Sequence, residues 1–148
     1  MLNPIESTSN HEQPDEFWIG VTQFNQGEYY ACHDTLEAIW MDAKQSERGF
    51  YQGILQIAVG LYHLTNLNWQ GAAILLGEGS HRLDDYGESY GGIDVADLVD
   101  QAINWLTALQ TLGPEQVHQL GPVLSDEVAF IVKLDSDTKL IVPKIKKV

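Results

Sequence analysis

Cysteine is almost absent from this sequence: Cys32 is the only one in 148 residues. A single thiol excludes an internal disulfide and a cysteine-based zinc site. Basic residues are also scarce, with eight Lys and Arg against 21 Asp and Glu and a net charge of −13. Nucleic-acid affinity comes mainly from Lys and Arg neutralising phosphates, so no nucleic-acid partner is expected. Anionic membrane surfaces are disfavoured by the same charge balance. No apolar run is long enough to span a bilayer. Met1–Gln13 lacks the basic start and the apolar stretch of a signal peptide, so the expected location is cytoplasmic. The sequence contains no glycine-rich phosphate loop, no Gly-x-Ser-x-Gly elbow and no His-Glu-x-x-His motif. It also shows no internal repeat of fixed period.

What is present is an ordinary globular composition, 44% hydrophobic with four Trp and six Tyr. A chain of this length buries about 68–70% of its unfolded surface as one domain. The helix signals come in order. Pro14 with Asp15 and Glu16 opens a first helix that runs through Phe17, Trp18, Val21 and Phe24 and stops at Gly27. A second runs from near Glu28 to about Lys44, its apolar arc formed by Tyr29, Cys32, Leu36, Ile39, Trp40 and Ala43. On that arc Cys32 reads as a small buried hydrophobe. His33 and Glu37 stand one turn apart at the arc's edge.

After a short polar turn at Gln45–Arg48 comes the central helix, from about Gly49 to Leu67. Phe50, Tyr51, Ile54, Leu55, Ile57, Ala58, Val59, Leu61, Tyr62 and Leu64 cover nearly its whole circumference, the mark of a buried helix. The one polar stripe is Gln52, Gln56 and His63, which fall within ~40° of each other on the helical wheel. Gly53 and Gly60 weaken this helix relative to alanine, and their expected use is close approach by a neighbour. A fourth helix follows from Trp69 to about Tyr86. Asp94 caps a fifth, with Ile93 placed to staple onto Leu98, and Gly113 and Pro114 end it. Asp94, Asp97 and Asp100 read as complements of the helix dipole rather than a ligand cage.

Beyond Pro114 the pattern weakens. Gly121 and Pro122 interrupt any helix, and the runs Val128–Val132 and Leu140–Val142 suggest a small hairpin around Asp135, Ser136, Asp137 and Thr138. Lys144, Lys146 and Lys147 read as a solvated tip. The expectation is an all-α fold, a compact five-helix bundle around a buried central helix with a short C-terminal arm or small hairpin. In domain terms, residues 1–13 form a flexible arm, 14–113 the bundle and 114–148 an extension.

If the second and central helices form an antiparallel hairpin, His33 and Glu37 face the stripe of Gln52, Gln56 and His63, ringed by Trp40, Tyr51 and Tyr62. Such a pocket would take a small polar ligand, or a divalent metal through His33, Glu37 and His63. It could also move protons between Glu37 and a histidine. The competing reading is a buried network that only satisfies itself. Two Glu-x-x-His spacings, Glu78 with His81 and Glu115 with His118, resemble a di-iron pattern, but the first faces outward and the second sits between helix breakers. No reaction is legible. The function read from these residues is a small helical binding protein; the other is a self-associating or interaction module in which the cluster is structural.

Four stretches carry a family resemblance: Phe24 to Tyr30 (FNQGEYY), His33 to Trp40 (HDTLEAIW), Phe50 to Ala58 (FYQGILQIA), and Tyr62-His63 with Asn68 to Ala72 (NWQGA). In these the chain resembles the small, helical, bacterial-type family known as domain of unknown function 309. The resemblance implies an all-helical bundle and no established activity. His33, Glu37, Gln56 and His63 match the family's polar pattern. Asp34 stands where members usually carry a glutamate.

Overall fold

The computed structural model of the protein describes residues 13–126, 130–133 and 137–148. Among them are six α-helices: α1 (Asp15–Asn25), α2 (Tyr29–Asp42), α3 (Gln45–Thr65), α4 (Trp69–Asp84), α5 (Val95–Leu112) and α6 (Val117–Asp126). A 3-10 turn, Pro114–Gln116, precedes α6. Two antiparallel strand pairs complete the chain: β1 (Ser89–Tyr90) with β2 (Ile93–Asp94), and β3 (Phe130–Lys133) with β4 (Asp137–Leu140). The all-α class holds, with six helices where five were expected.

The helix ends follow local chemistry. After α1, Gly27 takes φ +80°, and Glu28 N–H and Gly27 N–H close on the carbonyls of Gln23 and Phe24, a Schellman stop. The same pattern ends α3, where Asn68 and Leu67 donate to His63 and Leu64. There the left-handed residue is Leu67, at φ +59°, a conformation that costs a non-glycine residue about 1–2 kcal/mol. Asn68 then caps α4 by accepting from Gly71 N–H, and Asp94 caps α5 by accepting from Asp97 N–H.

Two boundaries differ from expectation. Gln45–Arg48 is the first turn of α3 rather than a linker, because Gln, Glu and Arg are good helix formers and the extended pair Ala43–Lys44 is enough to reverse the chain. α6 carries Pro122 in its interior. The proline costs about 3 kcal/mol, but Val117, Leu120, Val123 and Leu124 are all buried at helical spacing, each worth about 1.5–3 kcal/mol. Burial therefore outweighs the break.

Each helix packs on the next, with α3 between α2 and α4. Phe50, Ile54, Ala58, Leu61 and Leu64 of α3 are fully buried. The α3–α4 contact is close enough to bring the backbones together: a Cβ on Gly79 would lie 2.8 Å from Gly53 O, and one on Gly60 3.1 Å from Leu76 N. The glycines thus have the close-approach role expected for Gly53 and Gly60.

Of the C-terminal lysines Lys146 and Lys147 are exposed, as expected of a solvated tip, but the segment that carries them is docked on the bundle. Val142, Pro143 and Ile145 are buried, and the segment lies across α1 and α5 as a strap. Asn25 donates to Ile145 O and accepts from Ile145 N–H, while Gln101 makes the same pair of bonds with Lys144. Lys144 Nζ donates to Asn25 O, and Lys147 lies over the Trp18 ring at 4.5 Å. The second strand of the hairpin is Asp137–Leu140, ahead of the Leu140–Val142 run; Val128, Asp135 and Ser136, like Met1–Glu12, lie outside the described residues.

Candidate functional site

The expected site needs two helices to turn their polar side chains together, and α2 and α3 do lie alongside. Their antiparallel pairing is marked at one end by the Tyr30 and Tyr62 rings, centroids 5.2 Å apart, and at the other by Arg48, whose Nε donates to Trp40 O at 3.3 Å. On α2, His33 is partly buried, and Asp34 and Glu37 are exposed. One ligand atom from each of the three can be chosen so that all lie within 4.8 Å of one another. His33 Nδ1 sits 3.2 Å from Asp34 Oδ1. A carboxylate only accepts, so in this contact Nδ1 is the donor.

Two members of the α3 polar stripe, Gln56 and His63, face α4 rather than this group. Gln56, only 8% exposed, donates through Nε2 to Glu78 Oε1 at 3.3 Å and accepts at Oε1 from Arg82 Nε at 3.2 Å. Both ends of the buried amide are satisfied, as burial requires. His63 Nδ1 pairs with Asn68 Nδ2 at 3.2 Å, and its ring lies against the first turn of α4, 2.9 Å from where a Cβ on Gly71 would stand. His63 is thus tied to the cap of α4 and is not in the group that His33 and Glu37 form. From His33 the rings run through Tyr30 (5.6 Å), Tyr62 and then His63 (6.3 Å), so two tyrosines separate the imidazoles. Gln52 is half-buried. No hydrogen bond joins Gln52 or Gln56 to His33 or Glu37 among the described residues.

The reason is one of angle. Gln52, Gln56 and His63 do align on one side of α3, but α3 has two neighbours, and spacing along one helix does not say which of them that side meets. The close glycine seam of α3 and α4 draws Gln56 and His63 into the α4 interface.

Trp40 and Tyr51 stand elsewhere. The Arg48 guanidinium covers the Trp40 ring at 4.4 Å, and Trp40 Nε1 is buried with no hydrogen-bond partner among the described residues. Tyr51 is buried, and its hydroxyl donates to Gln13 Oε1 at 2.6 Å. Burial, helped by the Glu47 charge, pushes that phenol up to about 12. Two residues the sequence reading left out belong to the site: Asp34, adjacent to His33 in the same polar motif, and Tyr30, whose ring is 53% exposed against Tyr62 at 37%. Of the Glu-x-x-His residues, Glu78, His81, Glu115 and His118 are all exposed.

No described helix is long and apolar enough to cross a membrane. Comparison with other proteins adds the following. The chain is similar to the uncharacterized protein YpuF of Bacillus subtilis (strain 168), 28% identical over an alignment 94 residues long that covers 57% of this chain. The match spans 54% of YpuF, about half its length. No solved structure matches significantly. A family model described as domain of unknown function (DUF309) matches residues 17–75. That segment runs from α1 into α4 and holds His33, Glu37, Trp40, Tyr51, Gln52, Gln56, Tyr62 and His63, so the resemblance to the family of domain of unknown function 309 is shown over the whole candidate site.

Proposed function

We propose that the protein is a small helical binding protein that takes a divalent metal ion on the face of α2, with His33 and Glu37 as ligands and Asp34 in place of His63. The observation that carries this reading is the convergence of His33, Asp34 and Glu37 within 4.8 Å. One imidazole and two carboxylates form a mixed N,O set suited to ions such as Zn²⁺ or Mn²⁺. The ion would take the place of the Nδ1 proton between His33 and Asp34, so loading releases that proton. Three protein ligands leave coordination positions for water or a small polar ligand. The Tyr30 and Tyr62 rings beside His33 form one wall for such a ligand.

Metal analysis of protein purified without a histidine tag, stripped with chelator and reloaded with Zn²⁺, tests the reading. The expected result is one ion per chain in the natural protein and in His63→Ala, and none in His33→Ala or Glu37→Ala. Loss of metal from His63→Ala with retention in His33→Ala overturns it.

A second reading rests on the paired exposed rings of Tyr30 and Tyr62. Tyrosine is enriched where proteins meet, and the face would then serve self-association. Sedimentation of Tyr30→Ala against the natural chain distinguishes it: a loss of dimer supports this reading, and an unchanged monomer supports the metal site alone.

A further inference from the structure

A second concavity lies on the other side of α2, where the start of α1, the end of α2 and the start of α3 meet. It is a cleft of about 440 Å³ lined by Pro14, Glu16, Ala38, Ile39, Asp42, Ala43, Glu47 and Tyr51, within the size range of small-molecule sites. Its lining divides in two. Ala38, Ile39, Ala43 and Pro14 are apolar, and Ile39 and Ala43 also pack on the core. Glu16, Asp42 and Glu47 are carboxylates, and no ion pair engages any of them among the described residues. Among the described residues no Lys, Arg or His lines the cleft.

We infer that this cleft binds an aliphatic polyamine, its methylenes on Ala38, Ile39 and Ala43 and its ammonium groups on Glu16, Asp42 and Glu47. An inorganic cation would use the carboxylates and leave the apolar lining wet; a neutral apolar ligand would desolvate three charges without a partner. Only a chain that alternates methylene and ammonium matches both. The dipoles do not reverse the field. Two helix N-termini bring about half a positive charge each, the C-terminus of α2 brings half a negative one, and the three carboxylates exceed their sum. Glu47 is half-buried where it lines the cleft. The Tyr51 hydroxyl, with its proton committed to Gln13, offers a lone pair to an ammonium. The chain's net charge of −13 raises the local concentration of any organic cation.

The probe is spermidine, titrated into the full chain by calorimetry and by amide NMR at fixed ionic strength. The expected result is saturable 1:1 binding, with shifts centred on Ala38, Ile39, Ala43 and Tyr51. The pair Asp42→Asn with Glu47→Gln weakens it at least about fivefold. The charge-matched pair Asp100→Asn with Glu115→Gln, exposed residues outside the cleft, leaves it within about twofold. Equal weakening by both pairs, or shifts spread over the whole acidic surface, overturns the inference. The metal reading above stands or falls separately, on variants of α2 that do not line this cleft.

Discussion

Asn25 and Ile145, 120 residues apart in the chain, exchange two hydrogen bonds: the Asn25 amide nitrogen donates to Ile145 O at 3.0 Å, and Ile145 N–H donates to Asn25 Oδ1 at 2.7 Å. A side-chain amide here imitates a neighbouring strand. Together with Gln101 on Lys144, it fastens the end of the chain across the first helix and the fifth, and a β-bridge of Lys147 to Ile93 holds the last residues.

Asn25→Ala removes both bonds and leaves an amide N–H and a carbonyl in a buried stretch. The expected loss is about 1–3 kcal/mol, read as a lower urea midpoint. Trypsin should also cut after Lys144 sooner in the variant than in the natural chain, because the strap opens locally before the bundle does.

The glycine seam gives a paired prediction. In Gly79→Ala the new methyl would stand 2.8 Å from Gly53 O and from Ile57 Cγ1, so α3 and α4 must separate, at about 1–3 kcal/mol. In Gly77→Ala the nearest atom is Leu106 Cδ2 at 3.7 Å. That variant should be neutral or more stable by up to about 1 kcal/mol through helix propensity. Thermal unfolding of the two, side by side, checks the sign of each.

The alkaline limb of stability carries a third prediction. Tyr51 is pushed from 10.0 up to about 12 and Cys32 from 9.0 up to about 12, both chiefly by burial. Both groups hold their protons more tightly folded than unfolded. The stability this contributes is complete below the unfolded values and is lost as pH rises through the folded ones. Stability should therefore fall between about pH 9 and 12, and Tyr51→Phe should flatten the upper part of that fall. A thiol reagent at pH 8 should label Cys32 only at the rate of unfolding.

The fold was more legible than the site, for physical reasons visible in particular residues. Apolar period and caps placed most of the helices: Pro14, Gly27, Asn68, Asp94 and Gly113 all act at helix ends. α6 was hidden because Gly121 and Pro122 are breakers by propensity, and only the burial of Val117, Leu120, Val123 and Leu124 overrides them. The strap was hidden because three lysines read as a solvated end, whereas the apolar residues before and among them, Val142, Pro143 and Ile145, are the ones that dock. For the site, the α2 pair His33 and Glu37 followed from i, i+4 spacing within one helix. The partner face of α3 did not follow, because which neighbour Gln56 meets depends on the rotation of α3 about its axis. The Gly53 and Gly79 contact sets that rotation.

The proposed metal site gives His33 and His63 different jobs: the first would be a ligand on α2, while the second is hydrogen-bonded to Asn68 at the start of α4. Imidazole nitrogen NMR during a Zn²⁺ titration measures this directly. The prediction is that His33 Nδ1 shifts to the metal-bound position at one equivalent while both His63 nitrogens stay where they were. Joint movement of His33 and His63, or no movement of His33, would contradict it.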